Sequence, residues 1–449
     1  MGIDKLSQKV GPRLATVIYS ICGTYLNMSR YNNRYKKILQ KLTATQKWSS
    51  DEFSKYHLSH LKNVIHEAVN YVPYYKSWAK ETGFTENDFT SLEDITHFPI
   101  LKQKIVKDKP ELFIHEKLNK FRYRWTETGG TTGRGLKLPI ELQCDHVTWA
   151  AVWRSRYRLG MSSNDWIAQF FGRNFIDPRR KKGPFYSTNY PGKQHFFSSH
   201  HMSSETIYDY INSINKLKPA IITGYPSVLA RLGSYMLENG NKLNYRIKAV
   251  WLSSETLFSH QLEIIKTAFN CPCYQIYGHT EQAASISSIS ENELAVDEEV
   301  GYVEFVENEY GHQRIIATGL HNRAFPLIRY ETGDFVTRWY LKSGRRVVDR
   351  IEGRENDFLL TKSNNRVNTI NQIFKYVKNI ESLQFKEVQA GEYKVSIVPA
   401  NSDYQDDIYT IQKEIRKLAD GEISLDFECV QSLPVTKSGK LKLIMREYS

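Results

Sequence analysis

The sequence has few cysteines and no long apolar segment, and both absences narrow the class of protein. Its five cysteines are an odd number scattered over 449 residues, unlike the disulfide framework of a small secreted protein. Cys271 and Cys273 offer two zinc ligands, but no second pair lies nearby, so we expect thiols that pack in the protein interior. The mixed apolar segment 14–26 is too short to span a bilayer.

The first residues also lack the features of targeting signals. They have no long apolar core followed by a small-residue cleavage site, and Leu6 stands where a myristoylation signal has Ser or Thr. We therefore expect a cytoplasmic protein. Basic residues flank segment 14–26 on both sides, which leaves two interpretations open: an interfacial helix with weak membrane-surface association, or a helix packed on the protein's own core.

Acidic residues are outnumbered by basic ones, and the formal net charge is +12. A nucleic acid, an acidic membrane or an anionic substrate could use this charge. The sequence has no zinc-finger spacing and no aromatic strand of the RNA-binding type, so we expect no nucleic-acid partner. The basic run Arg179–Lys182 is interpreted as a solvated loop.

The hydrophobic pattern indicates an α/β fold with more than one domain, because 449 residues exceed what a single core usually holds. Residues 1–120 are rich in helical patterns, including Asp51–Tyr71. Strands and helices then alternate, which predicts a parallel sheet with a ligand crevice at its carboxyl edge. Strands and turns follow from about residue 296, among them Leu327–Tyr330. We predict a large multilayer α/β domain over 1–353 and a small, mobile α+β domain over 354–449.

The segment Thr126–Gly135 has four glycines and four threonines in ten residues. Glycine lets backbone N–H groups approach an anion closely, and threonine hydroxyls donate to phosphate or ligate Mg²⁺. The segment is neither a Walker A loop nor a dinucleotide-binding loop. It is suited to a polyphosphate, and a plain surface turn is the alternative.

Four later clusters also fit nucleotide chemistry. Tyr277–Glu281 supplies an aromatic ring, a hydroxyl and a carboxylate, and Tyr330–Asp334 supplies a turn carboxylate for a ribose diol. Gly353-Arg354 adds a cation, and Leu433–Lys440 places a lysine on a turn near the end of the chain. Each cluster taken alone is also consistent with a structural turn.

The order and spacing of these five motifs resemble the adenylate-forming superfamily, over nearly the whole chain. The segments Phe196–Met202, Ile222–Ser227 and Val367–Phe374 resemble its phenylacetate–CoA ligase/CapK branch, whose CapK-like members are often associated with surface-polysaccharide synthesis. The resemblance implies an AMP-forming ligase that uses ATP and Mg²⁺. Such an enzyme first forms an acyl-AMP and pyrophosphate, and an acceptor then displaces AMP.

The resemblance also implies roles for individual residues. The residues expected to hold ATP are Thr128, Gly129, Gly130, Thr131, Thr132, Gly133, Ser254, Glu255, Tyr277, Gly278, Thr280, Asp334 and Arg354. Glu281 would serve Mg²⁺ together with Thr131 or Thr132, Lys440 would bridge the carboxylate and the α-phosphate, and Asn356 would be the hinge.

The acid substrate is less well defined by the sequence. Arg173, His201 and Tyr225 are candidates to bind a polar or anionic carboxylic acid, and His201 is also a candidate catalytic residue. For His200 and His201, a buried structural histidine is an equal alternative to a substrate contact.

Two segments depart from the pattern of the superfamily. Arg134-Gly-Leu136 replaces Pro-Lys-Gly in the phosphate loop, so the role of that lysine does not carry over. Leu359–Arg366 lacks the glycine pair that lines the channel for CoA. The acceptor therefore stays open between CoA, a carrier-bound thiol, and an amine of a sugar or amino acid. The alternatives for the whole chain are an acyl-CoA ligase, an adenylyltransferase, and a non-enzymatic scaffold.

Overall fold

The computed structural model describes residues 2–119, 122–128, 135–203, 205–308, 311–354, 358–363, 365–367, 377, 379–400, 402–436 and 439–446. In this part of the chain the α-helices are α1 (Gly2–Lys9), α2 (Pro12–Arg30), α3 (Asn33–Ala44), α4 (Ser50–Tyr71), α5 (Pro73–Thr82), α6 (Gln103–Asp108), α7 (Leu142–Arg158), α8 (Ile207–Leu217), α9 (Pro226–Glu238), α10 (Ser259–Phe269) and α11 (Tyr404–Leu418). Short 3₁₀ helices occupy Thr45–Lys47, Glu86–Asp88, Glu93–His97 and Pro110–Phe113.

The strands are short and lie mostly after residue 120. They are β1 (Tyr123–Glu127), β2 (Lys137–Glu141), β3 (Ile167–Phe170), β4 (Tyr186–Asn189), β5 (Gln194–Phe197), β6 (Ile221–Gly224), β7 (Ala249–Ser253), β8 (Cys273–Gly278), β9 (Ser285–Ser288), β10 (Leu294–Val296), β11 (Gly301–Glu307), β12 (Gln313–Gly319), β13 (Tyr330–Val336), β14 (Trp339–Lys342), β15 (Arg345–Val348), β16 (Ile351–Arg354), β17 (Leu359–Leu360), β18 (Arg366–Val367), β19 (Ile380–Gln389), β20 (Glu392–Pro399), β21 (Ser424–Cys429) and β22 (Ile444–Met445).

The chain forms two compact units. The first comprises Met1–Asn27, Asn164–Tyr274 and Gly353–Ser449, and the second comprises Met28–Ser163 and Gln275–Glu352. The chain therefore passes from the second unit to the first at Gly353, where the sequence predicts a domain boundary. The division into domains 1–353 and 354–449 itself stays a prediction.

A mainly parallel sheet organises the first unit. Strands β5, β3, β6 and β7 are parallel neighbours in that order, and β4 pairs antiparallel with β5. All four residues of β6 are buried, as are the first four of β7, which is typical of parallel strands that helices cover on both faces. A Cβ at Gly224 would lie 2.7 Å from the Phe170 carbonyl oxygen, so only glycine fits at this carboxyl edge.

The C-terminal part of the first unit has its own sheet, in the order β21-β20-β19-β22. Helix α11 covers this sheet with Ile411 and Ile415, which lie in one buried cluster with Phe385 and Val395. The predicted small α+β pattern is confirmed.

Antiparallel sheets organise the second unit. Strands β11, β12 and β13 pair antiparallel, and the register of β13 shifts where Arg314 faces Phe335 while Ile316 faces Glu331. This bulge contains Gly333 with a φ of +77°. The predicted strand Leu327–Tyr330 is wrong, because the strand begins at Tyr330, and the predicted turn Tyr330–Asp334 is instead a bulged strand.

The predicted helix Asp51–Tyr71 is confirmed as α4, and its start shows why the sequence folds this way. Ser49 accepts a hydrogen bond from the Glu52 N–H, and the Glu52 side chain accepts one from the Ser49 N–H. This capping box satisfies two backbone donors that have no partner within the helix. Asp51 lies in the first turn, where a carboxylate favours the positive end of the helix dipole.

A buried cluster of charged side chains lies in the second unit. Arg154 on α7 contacts Asp297 and Glu299 at 2.5 Å each, and Arg345 on β15 contacts Glu299 at 2.6 Å. Burial opposes the ionisation of Glu299, but the two guanidinium groups hold its pKa well below the usual range. The cluster therefore consists of ions that compensate one another away from water.

Candidate active site

Two of the sequence motifs meet in the second unit through a pair of hydrogen bonds. The Tyr277 hydroxyl on β8 donates to Asp334 Oδ2 over 2.8 Å, and the Tyr330 hydroxyl on β13 donates to Glu281 Oε1 over 2.9 Å. Each motif thus supplies one tyrosine and one carboxylate, and each tyrosine binds the carboxylate of the other motif. The structure brings together residues that are 57 and 49 positions apart in sequence.

The two members of this pairing are electrostatically different. Burial and the Asp334 carboxylate raise the pKa of Tyr277 well above its usual value, so its hydroxyl acts as a hydrogen-bond donor. Burial opposes the ionisation of Glu281, but the nearby His279 ring and the Tyr330 hydroxyl hold its pKa at about 2. His279 Nδ1 lies 3.3 Å from Glu281 Oε2. Glu281 is therefore a buried carboxylate that is ionised at neutral pH.

The remaining residues of the Tyr277 motif lie at the exit of β8. Gly278 is exposed at the end of the strand, and Thr280 is half-buried in the turn that follows. Glu281 lies in the same turn after β8. Because Gly278 has no side chain, a ligand can approach the backbone at this end of the strand.

The base of the predicted phosphate loop is closed by Thr128. Its backbone N–H donates to the Leu136 carbonyl over 2.9 Å, and its Oγ1 accepts from the Leu136 N–H over 2.8 Å. A Cβ at Gly135 would lie 2.1 Å from the Thr128 carbonyl oxygen, so this close approach requires glycine. Gly129, Gly130, Thr131, Thr132 and Gly133 lie outside the described residues, as does Asn356.

The predicted catalytic lysine lies on a closed turn in the first unit. The Thr436 N–H donates to the Lys440 carbonyl over 2.9 Å, and the Lys440 N–H donates to Thr436 Oγ1 over 3.0 Å. Gly439 has a φ of +73°, and a Cβ there would lie 2.4 Å from the Cα of Gly172. The turn that carries Lys440 is therefore packed directly against the backbone after β3.

Glu255 fixes the same turn from the other side. Its Oε1 accepts a hydrogen bond from the Leu441 N–H over 3.0 Å, and its Oε2 accepts one from the Ser227 N–H over 3.2 Å. Burial raises the pKa of Glu255, and these hydrogen bonds and the positive charge of Lys440 oppose that rise. Glu255 thus joins the N-terminus of α9 to the residue after Lys440, a contact that the sequence did not predict.

Three of the eight non-glycine residues that have a positive φ in the described part of the chain lie beside motif residues. Ser254, Gln282 and Arg329 adopt positive φ angles of 72°, 55° and 50°, a region that residues other than glycine rarely occupy. They directly adjoin Glu255, Glu281 and Tyr330. Such strain typically accumulates at functional sites, where it fixes the direction of neighbouring side chains.

The candidates for the acid pocket already make contacts within the first unit. Arg173 donates to Asp4 Oδ1 over 2.7 Å and lies over the ring of Phe196 at 4.5 Å. The Tyr225 N–H donates to the Phe170 carbonyl over 3.1 Å, and burial raises the pKa of its hydroxyl to about 12. Arg173 is thus held by helix α1, while Tyr225 stays a neutral phenol at the start of α9.

Both ring nitrogens of His201 have protein partners. Nδ1 contacts Ser198 Oγ at 2.8 Å, and Nε2 contacts the Asp177 carbonyl at 2.9 Å. Since a carbonyl only accepts, Nε2 carries the proton, and burial lowers the pKa of the ring. His200 Nε2 donates to the Gly172 carbonyl over 3.3 Å. Gly172 is the same glycine that packs against Gly439. These contacts favour structural roles, and a substrate role for His201 stays a prediction.

Comparisons with known proteins find relatives that extend over nearly the whole chain. A family described as "CapK C-terminal domain" matches residues 359–447. Protein CapK of Staphylococcus aureus is 26% identical over 441 residues, which cover 94% of this chain and 95% of that protein. The chain is thus similar to CapK over nearly its whole length. The phenylacetate-coenzyme A ligase of Pseudomonas putida is less similar, at 22% identity over 88% of this chain and 91% of that protein.

Solved structures show that this chain has the fold of a CoA ligase. A crystal structure of 2-hydroxyisobutyryl-CoA ligase, in complex with an acyl-AMP, superposes with a TM-score of 0.68 over 90% of this chain and 92% of that one. The sequence identity is 16%. The predicted class, a large α/β part with a smaller α+β part, is confirmed.

Of the residues predicted to bind nucleotide, the structure thus joins Tyr277 and Asp334, and it ties Glu255 to the Lys440 turn. For Arg354, at the end of β16, only the backbone is described. The sequence motifs predicted no role for Tyr330 or His279, although each belongs to one of them. Their positions close in sequence to Asp334 and Glu281, respectively, were the signal that could have identified them.

Proposed function

We propose that this CapK-like protein is an ATP-dependent, AMP-forming carboxylate ligase. A carboxylate oxygen of the substrate attacks the α-phosphorus of ATP, the bond to the β-phosphate oxygen breaks, and pyrophosphate leaves. An acceptor thiol or amine then attacks the acyl carbon, and AMP leaves. The observation that carries the proposal is the pairing of Tyr277 with Asp334 and of Tyr330 with Glu281, because it presents two carboxylates with separate tasks.

Glu281 suits the metal in this proposal. Mg²⁺ is usually held by one or two carboxylates together with water and substrate phosphates. Among the described residues, no group of three or more His, Cys, Asp or Glu is placed to hold a metal by itself. A single buried, ionised carboxylate fits a metal that arrives with ATP, and Thr131 or Thr132 would add a hydroxyl. The metal would neutralise the phosphate charge and assist departure of pyrophosphate.

Asp334 suits the ribose. An ionised carboxylate can accept hydrogen bonds from two vicinal hydroxyls, and Tyr277 fixes one of its oxygens from the side. The Tyr277 ring, on the same strand exit, would cover the adenine. Arg354 would add a cation near the ribose.

Asp334→Ala is expected to weaken ATP binding by about 1.5–3 kcal/mol, because charge-assisted hydrogen bonds to the ribose are lost. Calorimetric titration with ATP measures this change. Asp349→Ala serves as the matched control, since Asp349 is an exposed aspartate of the same unit that pairs with Arg338. Equal ATP affinities for the two variants would reduce Tyr330–Asp334 to a structural segment.

Lys440 suits the α-phosphate, where negative charge gathers during adenylation. The turn that carries it is held by Thr436, by the approach of Gly439 to Gly172, and by Glu255. Glu255 therefore acts through Lys440 as a positioning residue. Glu255 and Ser254 are also predicted to contact adenine. This contact is a separate proposal, and the hydrogen bond between Leu441 and Glu255 is compatible with it.

Glu255→Ala is expected to lower the rate of adenylation by roughly 10–100-fold, because two buried N–H groups lose their acceptor at about 1–3 kcal/mol each. The Michaelis constant for ATP should stay close to that of the wild type if the residue acts through Lys440. In the Lys440→Ala background the same change should cost little, since the positioned group is absent. Glu428→Ala, which removes a carboxylate of the same unit that pairs with Lys394 over 2.6 Å, is the control. Full additivity of the two losses would contradict the positioning role.

The acid pocket is proposed to lie near Tyr225, at the carboxyl edge of the parallel sheet. Arg173 and His201 are engaged with Asp4 and with Ser198 and Asp177. They can therefore shape the pocket wall with fixed geometry, and a substrate anion would compete with Asp4 for the guanidinium. A polar carboxylic acid suits this surrounding better than a purely apolar one.

For the acceptor we propose an amine or a carrier-bound thiol rather than free CoA. The turn between β17 and β18 is held by Thr361 Oγ1, which accepts from the Asn365 N–H over 3.1 Å, and it exposes Lys362 and Ser363. Polar side chains occupy this turn where typical CoA ligases have glycines. Rapid, saturable release of AMP from preformed acyl-AMP on addition of CoA alone would restore an acyl-CoA ligase. Release with amino sugars or amino acids supports the proposal, and with it a role in surface-polysaccharide synthesis.

The test of the proposed function is release of pyrophosphate from ATP across a panel of amino acids, uronic acids and aryl acids. Two results support the ligase: pyrophosphate is released only when an acid is present, and free AMP is formed after the acceptor is added. AMP that ends attached to a product identifies an adenylyltransferase instead. No nucleotide turnover with any acid, while ATP still binds, leaves the scaffold alternative.

A further inference from the structure

Helix α2 exposes an apolar stripe on the side that faces away from its own unit. Leu14, Val17, Ile21 and Tyr25 follow one another at intervals of three or four residues, so they lie on one face of the helix. Their exposed fractions are 53%, 50%, 67% and 72%. In a helix whose only partner were its own core, this face would carry polar residues.

The opposite face of α2 is fixed, so the stripe cannot turn inward. Ala15, Tyr19 and Gly23 are buried on that face. A Cβ at Gly23 would lie 1.9 Å from Asn189 Oδ1, and the Tyr19 hydroxyl donates to Asp4 Oδ1 over 2.6 Å. Close packing on one side and apolar exposure on the other are therefore both built into the helix.

The sequence on either side of the stripe is basic. Between residues 5 and 50 it has nine Lys and Arg residues and no Asp or Glu. A cleft of about 530 Å³ at the junction of α1 and α2 is lined by Lys9, Arg179 and Arg180, and also by Asp177, which pairs with Arg179. The cleft therefore keeps a net positive charge beside the beginning of α2.

We propose that α2 docks this protein on an anionic phospholipid surface, lying flat with the stripe in the boundary between headgroups and acyl chains. An apolar helical face flanked by Lys and Arg suits such a surface. A second copy of this chain is the poorer occupant, because it would bring two acid-free, basic segments together. In the part of the chain that the structure describes, no helix is long and apolar enough to cross a bilayer, so the contact is interfacial.

The proposal does not rest on the ligase activity. Its test is co-sedimentation of the full chain with vesicles of phosphatidylcholine alone and of an equal mixture with phosphatidylglycerol. Binding is expected to the anionic vesicles, with loss at high salt. Ile21→Glu should reduce the partition coefficient by at least about 10-fold, because one buried apolar side chain is lost from the interface and a charge is added. Lys9→Ser with Arg13→Ser should reduce it by roughly 5-fold for each cation removed.

The matched control is Tyr409→Glu, which introduces the same charge at a site on α11 that is 68% exposed. This variant should bind like the wild type. All four proteins are also compared by sedimentation equilibrium and by circular dichroism, so that a folding defect in Ile21→Glu is recognised and Val17→Glu takes its place. Absence of wild-type binding to anionic vesicles overturns the proposal. Equal losses of vesicle binding by Ile21→Glu and Tyr409→Glu also overturn it. So does a dimeric wild-type protein that the Ile21→Glu substitution dissociates.

Discussion

Lys440→Ala is expected to lower acid-dependent formation of acyl-AMP by about 10²–10³-fold, the usual loss when one group that stabilises transition-state charge is removed. The reason is the placement of the lysine on a turn whose backbone is held by Thr436, Gly439 and Glu255, which fixes the point from which its side chain extends. Exchange of labelled pyrophosphate into ATP measures the effect. Affinity for ATP should change little, because the lysine acts where charge develops.

Two control variants make this result specific to the ammonium at position 440. Lys442→Ala removes the same charge two residues further along and should exchange pyrophosphate at nearly the wild-type rate. Lys440→Arg keeps a cation but changes its shape, and it should recover only part of the activity. Normal exchange by Lys440→Ala would show that the assignment of the lysine is wrong.

Arg154→Met is expected to lower the free energy of unfolding by about 3–5 kcal/mol, because removal of one member of a buried ion cluster leaves the other charges uncompensated. Arg154 contacts Asp297 and Glu299 at 2.5 Å each, and all three side chains are buried. Urea unfolding followed by fluorescence measures the loss. Arg338→Met removes an exposed pair with Asp349 and should cost only about 0–1 kcal/mol.

The pH dependence of stability provides a second test of the same cluster. The pKa of Glu299 is depressed in the folded protein, so its contribution is complete above the unfolded-state pKa of about 4.3 and is lost as the pH falls below it. Glu299→Gln should therefore flatten the decline of stability in acid. An unfolding midpoint that is equal for Arg154→Met and Arg338→Met would contradict the role of the cluster.

Local patterns in the sequence predicted much of the fold. The helix Asp51–Tyr71 and the alternation of strands with helices depend on hydrophobic periodicity and on nearby caps or glycines, which are local properties. The strand Leu327–Tyr330 was wrong because its apolar residues are buried in loops beside β13, and burial alone does not define a strand. The antiparallel register of the second unit, with the bulge at Gly333, depends on pairing between distant segments.

The candidate site was predicted in part for the same reason. The motifs identified Tyr277, Glu281, Asp334 and Lys440 one by one, because each stands in a short pattern. The hydrogen bonds of Tyr330 with Glu281 and of Tyr277 with Asp334 link residues 49 and 57 positions apart, and that of Leu441 with Glu255 links residues 186 positions apart. No spacing in the sequence encodes these partners, since they follow from the path of the chain within each unit. The contact of Glu255 with Leu441 is the clearest example.

The most direct test of the central claim, attack of a carboxylate on the α-phosphate, is transfer of an isotope. An acid that supports pyrophosphate release is labelled with oxygen-18 in its carboxylate, and the AMP formed after addition of the acceptor is examined by mass spectrometry. The proposed mechanism predicts that oxygen-18 passes from the acid into the phosphate of AMP, because the carboxylate oxygen bonds to phosphorus and stays there when the acyl group leaves. Unlabelled AMP would contradict this mechanism, as would formation of ADP together with inorganic phosphate that carries oxygen-18.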